Sequence, residues 1–440
     1  MSPHPGVHPG HPGGHPGHPG AAEHPHLARK GVVRTLHHDP GERPHVLVWE
    51  VTRACQLACR HCRADAFTKA DPRQLTTEQG KALLDDFASY GTPRPIVILS
   101  GGDAFERDDL EELIAYGTSI GLPMALSPSV TPLLTDERLA SVRAAGVKAF
   151  SISLDGATAE THDSFRGIDG TFADSLEAAK LVVGHGFRFQ VNTTICRNNL
   201  RELPEILATV KSMGAWMWYL LFLVPMGRGS NLEPLTPEEM EDVLHWLHDV
   251  SDRIAIKVTE APNYRRVAIQ RDDARAAGEP MPPTGELHAW LMAETDRLLG
   301  EVTERRPPRP PIGVNSGRGF AFVDHIGDVY PSGFLPYKCG SVKEKPFPEI
   351  YAEAPMMKAL RDPASYSGKC GVCEFNWICG GSRARAHAML GDPLASDPTC
   401  IWQPTATRTE VWHTSPHVGV PAVDEQPELP QGRMEPGRVV

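Results

Sequence analysis

Six short β-rich runs, each followed by a helical stretch, constrain this chain more than any other feature. The runs are "HVLVWEV" (45–51), "PIVILSGGD" (95–103), "PMALSPS" (123–129), "AFSISLDG" (149–156), "FRFQVNTTI" (187–195) and "WMWYLLFLVPMG" (216–227). Helical periodicity fills the gaps, at 76–91, 108–121, 136–145, 172–185 and 201–213. Such alternation builds a parallel sheet with helices packed outside it. The expected fold class is therefore α/β, a partial (β/α)6 TIM-like barrel of six units rather than eight. Chemistry in such barrels sits at the C-terminal ends of the strands.

The rest of the chain divides around this repeat. Residues 1–44 form a tail of His-Pro-Gly repeats with almost nothing apolar to bury, so disorder is expected. Half of the twenty histidines lie in the first 45 residues. Imidazoles bind metals, but a low-complexity extension without chemistry is the plainer reading. The barrel takes residues 45–230. Residues 231–318 read as connecting helices and a Pro-rich linker, "TERRPPRPPIGVNSGR" (303–318). A small Cys-rich unit follows at 319–402, then an irregular tail at 403–440.

Composition excludes several classes. A net charge of −11 argues against nucleic acid or an anionic membrane surface as partner. No apolar run nears the ~20 residues that span a bilayer, and no signal peptide is evident. The expectation is a cytoplasmic protein with reduced thiols. There, clustered cysteines mean metal or catalysis more often than disulfides.

Three of the nine cysteines fall within eight residues, Cys55, Cys59 and Cys62 in "CQLACRHC", just after the first strand. Three thiolates do not complete a tetrahedral zinc site. They can hold three irons of a cubane 4Fe–4S cluster and leave the fourth iron open to an outside ligand. A second set, Cys370, Cys373, Cys379 and Cys400, has gaps of two, five and twenty residues. Four thiolates can close a cluster or a structural zinc site, and spacing alone favours neither.

"CQLACRHC" resembles the C-x3-C-x2-C signature of the radical S-adenosylmethionine (SAM) superfamily, with His61 where an aromatic is usual. The resemblance implies that Cys55, Cys59 and Cys62 hold the catalytic cluster. Its open iron would chelate SAM, and one electron would release a 5′-deoxyadenosyl radical that takes a substrate hydrogen. By the same resemblance, Gly101, Gly102 and Asp103 would meet the SAM ammonium. Ser153 and Asp155 would reach its ribose and amino acid, and Arg166 would pair with its carboxylate. Asn192 would bond the ribose, and the backbone around Val224 would line the adenine. A flavodoxin or ferredoxin is the implied electron donor.

The segment from Cys370 onward resembles the SPASM/twitch-type extension, which carries auxiliary 4Fe–4S clusters. After a radical SAM barrel, a cluster rather than zinc is implied. Ser332 and Arg383 stand where further ligands are expected, so one auxiliary cluster is expected rather than two. Cys339 reads as an unligated thiol or a spare ligand. Residues 44–402 resemble the branch that makes heme b and heme d1, in which propionates of a tetrapyrrole are modified. The rival is a maturase of ribosomal peptides or proteins. Such enzymes often carry an N-terminal recognition domain, and only the tail precedes this barrel. A non-enzymatic iron–sulfur carrier is the third class, and it has no need of an open-iron motif.

Overall fold

The computed structural model of the chain describes residues 34, 36, 38–302, 305–307 and 309–405. The 1–44 tail therefore lies largely outside the described residues, and the 403–440 tail beyond 405 does too.

The six expected strands form in order: β1 (Val46–Thr52), β2 (Ile96–Gly101), β3 (Met124–Leu126), β4 (Ala149–Ser153), β5 (Arg188–Ile195) and β6 (Met217–Phe222). Each pairs parallel with the next, for example Trp49 with Leu99 and Ser153 with Asn192. Helices α1 (Thr77–Ala88), α2 (Leu110–Ser119), α3 (Asp136–Ala145), α4 (Ala159–Arg166), α5 (Thr171–Gly184) and α6 (Leu203–Ser212) make the crossovers. Their starts are encoded locally. Thr76 and Gln79 close a capping box on α1, and Thr135 caps α3.

The structure adds a strand to the six. Residues 231–318, read as helices and linker, contain α7 (Pro237–Asp249), α8 (Tyr264–Ala277) and α9 (Glu286–Leu299). Between α7 and α8 they also contain a seventh parallel strand, β7 (Ala255–Thr259), paired with β6. Five residues behind a long amphipathic helix give little periodicity to read. Trp246 of α7 meets Trp218 of β6 edge-to-face at 5.9 Å. Both indoles are fully buried and each donates its N–H to a threonine, Thr295 and Thr193.

The Cys-rich unit joins the same sheet. β8 (Asn315–Ser316), β9 (Gly319–Val323), β10 (Asp328–Tyr330) and β11 (Gly340–Ser341) lie on the far side of β1. β9 runs parallel to β1, pairing Val48 with Phe322. Among the described residues the sheet is an open path, from β11 through β1 to β7. Short helices α10 (Phe347–Glu353), α11 (Pro355–Arg361), α12 (Gly368–Val372) and α13 (Arg383–Leu390) close the unit. Among the described residues, no helix is long and apolar enough to cross a membrane.

Candidate functional site

The C-terminal ends of β1 to β6 open on one cavity of about 1070 Å3, counting its mouth. Cys55, Cys59 and Cys62 line it, as do Gly101, Gly102, Ser153, Asp155, Arg166, Asn192 and Val224.

The three thiols sit on the loop after β1. Backbone bonds brace that loop against its neighbours, from Cys55 N to the Phe67 carbonyl and from Arg60 N to the Phe165 carbonyl, both 2.8 Å. Burial pushes the Cys55 thiol up to about 11 and raises Cys59 too. Thiols so placed keep their protons unless a metal displaces them. Donors face the sulfurs, with Leu57 N at 3.4 Å from Cys55 Sγ and Arg166 at 3.7 Å from Cys59 Sγ. Among the described residues, no three Cys, His, Asp or Glu side chains converge on a single-ion position. A cubane asks for something else, one thiolate per iron at separate corners. The set fits that group.

Arg166 ends α4, and its guanidinium donates to Asp155 at 2.5 Å. Asp155 follows β4 and also accepts from Thr194 N at 2.6 Å. Burial alone would raise its pKa, but Arg166 and then His61 hold it below the usual carboxylate range. The two residues expected to reach SAM thus hold each other first. Arg166 Nε remains buried without a partner. His61 lines the same cavity, tilted against Phe165 with ring centroids 5.0 Å apart. Burial drives its pKa down to about 4, so it is a neutral imidazole near pH 7.

The "SGG" turn has a steric cause. A Cβ on Gly102 would lie 2.3 Å from the Ala54 carbonyl oxygen, and one on Gly101 would lie 2.3 Å from that of Thr52. Only glycine lets the loop after β2 touch the cysteine loop. Asp103 departs from the expectation. It is fully buried and does not line the cavity. Its carboxylate accepts from Phe105 N (3.1 Å), Ser129 N (3.2 Å) and Thr131 Oγ1 (2.7 Å). Those donors aim it at the loop after β3, where it staples two loops together.

Ser153 and Asn192 are register partners on β4 and β5 and both reach the cavity. The Val224 carbonyl accepts from Met226 N at 2.8 Å in the turn after β6. Sequence reasoning missed Ser129, whose hydroxyl donates to the Gly102 carbonyl at 2.8 Å. It missed Thr194 and Arg228 too, although polar residues at strand ends are the places to look. Arg228 lines the cavity, with Nε and Nη2 buried and without hydrogen-bond partners. Asp65 Oδ1 lies 3.9 Å from its Nε. Met226 and Phe334 form an apolar wall on the same cavity.

Cys370, Cys373, Cys379 and Cys400 gather around a second, smaller hollow. Backbone N–H groups point at three of the sulfurs: Asp397 N at 3.4 Å from Cys370, Phe375 N at 3.5 Å from Cys373 and Gly381 N at 3.4 Å from Cys379. Burial pushes Cys373 up to about 12 and Cys400 up to about 11. Gly381 has φ +67°, and a Cβ there would lie 3.1 Å from Cys370 Sγ. The four fit a group with one thiolate per metal, as the first three do. Cys339 lines neither hollow and packs in the apolar core near Leu335. Ser332 is spoken for by Glu260, to which it donates at 3.2 Å.

The chain is similar to known proteins along most of its length. Residues 49–210 match the model of the radical SAM superfamily. An AdoMet-dependent heme synthase of Oleidesulfovibrio alaskensis is 40% identical, over 86% of this chain and 92% of the relative. One from Methanosarcina barkeri is 39% identical, over 82% and 97%. Among solved structures, Streptococcus suis SuiB bound to S-adenosylmethionine superimposes with a TM-score of 0.59 at 13% identity, over 82% of this chain and 78% of that one. The last likeness is one of fold. The chain therefore belongs to the radical SAM superfamily, enzymes built on a 4Fe–4S cluster and S-adenosylmethionine, and stands with the AdoMet-dependent heme synthases.

Proposed function

We propose that this enzyme converts propionate side chains of an iron-containing tetrapyrrole into vinyl groups by oxidative decarboxylation. Its similarity to heme synthases suggests the substrate class. The observation that carries the reading is Arg228, a guanidinium with two buried nitrogens that make no hydrogen bond, in the cavity beside the apolar wall of Met226 and Phe334. A carboxylate on a flat apolar ring matches that pairing, and arginine binds carboxylates in two-pronged fashion.

When bound, the cluster and SAM supply a 5′-deoxyadenosyl radical. On this reading Cys55, Cys59 and Cys62, which line the cavity, would hold the cluster that binds SAM. The carbonyls of Gly101 and Gly102 accept from the SAM ammonium, and Arg166, through its free Nε, holds the SAM carboxylate. Ser153 and Asn192 face the ribose, and the turn at Val224 faces the adenine. The propionate β-carbon gives up a hydrogen atom and carbon dioxide departs. A vinyl group and one electron remain. Cys370, Cys373, Cys379 and Cys400 would hold an auxiliary 4Fe–4S cluster that would supply an acceptor for that electron, and a flavodoxin or ferredoxin would feed the first cluster.

The test is anaerobic incubation of the reconstituted, reduced enzyme with SAM and iron-coproporphyrin III. The reading expects 5′-deoxyadenosine together with a porphyrin that has lost carboxyl groups. 5′-Deoxyadenosine with an unchanged porphyrin mass, or no porphyrin binding, contradicts it and favours a peptide substrate.

A further inference from the structure

Two arginines beside the second thiol set make no ion pair of their own; the acid nearest Arg383 is Asp397, which pairs with Arg385 and which Arg383 only helps to hold below the usual carboxylate range. Arg265, on α8, is 8% exposed. It donates to the carbonyls of Ile378 (2.8 Å) and Val314 (2.5 Å) and to Asn315 Oδ1 (2.8 Å), all neutral acceptors. The acidic group it feels most is the Cys379 thiol. Arg383, at the start of α13, is 2% exposed. It donates to the Pro393 (3.2 Å), Ala395 (2.7 Å) and Gly381 (3.3 Å) carbonyls, and to Cys370 Sγ at 3.5 Å. Its guanidinium lies over the Tyr366 ring at 4.6 Å. Among the described residues neither arginine is in an ion pair with a carboxylate.

Three other arginines near the thiol sets are paired, whereas Arg318, next to Arg265, donates to the Trp377 carbonyl at 2.6 Å. Arg266 is paired with Glu241 at 2.5 Å, Arg385 with Asp397 at 3.4 Å, and Arg166, at the first thiol set, with Asp155. Lys369 and Glu374 also flank the second set, but they are of opposite sign and partly exposed. A buried charge without a counter-charge is costly, so proteins keep such charges only with a partner. Four protonated thiols offer none. A cubane held by four thiolates is formally a dianion, and a trianion once it takes one electron.

We infer that Arg265 and Arg383 are the counter-charges of an anionic centre on Cys370, Cys373, Cys379 and Cys400, and that they set its reduction potential above that of the first centre. The inference rests on the reading that the second set holds a cubane. Two fixed positive charges in a dry site balance the oxidised cluster and favour the added electron. Net charge and hydrogen bonds to sulfur are the terms that move such potentials. At the first set Arg166, the arginine in contact with a sulfur, is neutralised by Asp155, Arg63 is paired with Glu50, and Arg228 has Asp65 3.9 Å from its Nε, so each positive charge there has an acid beside it. The electron concerned is the one left when the substrate radical loses carbon dioxide. It reduces the second cluster by one unit, and an external acceptor, such as an oxidised flavodoxin or ferredoxin, reoxidises it.

The test is a potentiometric titration followed by electron paramagnetic resonance on the full-length reconstituted chain. A variant with Cys55, Cys59 and Cys62 all changed to Ala isolates the second cluster. In that background R383Q and R265M should each weaken electron affinity about tenfold, 59 mV lower for a one-electron couple. R383K should restore most of the loss. In the unaltered chain the second cluster should titrate above the first, a measurement that needs no variant to fold. Retained iron with an unmoved potential in both variants overturns the inference, and so does a second cluster that titrates below the first. If the triple variant holds zinc or no iron, the cubane reading fails and takes the inference with it.

Discussion

The two cysteine sites are made of the same atoms and differ in what surrounds them. The first has three thiols on one loop, an open cavity on one side, and an arginine already paired with Asp155. The second has four thiols drawn from separate turns, a small hollow, and two buried arginines outside any ion pair among the described residues. On the proposed reading, the missing fourth thiol leaves an iron for SAM at the first site, the fixed charges bias the second site toward accepting an electron, and one site starts a radical while the other collects what the radical leaves.

The most severe way to break this comparison is to delete one site at a time. Cys59→Ala should bring SAM cleavage to background while the iron of the second site stays. Cys379→Ala should reduce iron from about eight to about four per chain and spare SAM cleavage. Iron and sulfide assays with 5′-deoxyadenosine quantification read both. If either variant loses both functions, the sites are not separable as described.

Arg228→Gln tests the cavity side. Losing a charged hydrogen-bond partner for a carboxylate should raise KM for iron-coproporphyrin about tenfold or more. The affinity for SAM should hold. An unchanged KM would remove Arg228 from substrate recognition.

A matched pair of glycine variants should damage one site each. Gly102→Ala drives a Cβ into the Ala54 carbonyl and should impair SAM binding. Gly381→Ala meets Arg383 Nη2, Asp397 Cβ and then Cys370 Sγ, on a left-handed backbone, and should cost about 1–2 kcal/mol and loosen the second cluster. Chemical denaturation and iron content in each variant check this.

An effect that depends on pH concerns the joint between the regions. Asp324, in the turn between β9 and β10, is pushed up to about 6, by burial first. A carboxyl raised in the folded state contributes stability that is full below pH ~4 and is lost as pH rises through 6. Asp324→Asn keeps the acceptor for Ile326 N and Asp328 N. It should therefore gain on the parent by about 1–3 kcal/mol at pH 8 and by little at pH 4. Urea midpoints at the two pH values measure the gap.

Local features made the barrel and the first site legible. Strand runs, helix caps and "CQLACRHC" each lie within a few neighbouring residues, so the chain states them directly. β7 was hidden because five residues carry no clear period. Asp103 misled because its sequence neighbours do not reveal Ser129 and Thr131, which fold over it from the loop after β3. The Asp155–Arg166 pairing spans eleven residues and needed α4 to be seen. Arg265 lies more than a hundred residues from Cys379, and its lack of a carboxylate exists only in three dimensions. Arg383 was visible as a substitution for an expected ligand, and its bond to Cys370 gives that substitution a physical role.

The most direct test of the account asks whose hydrogen is taken. Iron-coproporphyrin III deuterated at the propionate β-carbons should pass deuterium to 5′-deoxyadenosine, in step with the appearance of vinyl groups. Unlabelled 5′-deoxyadenosine, with the deuterium still on the porphyrin, would contradict it.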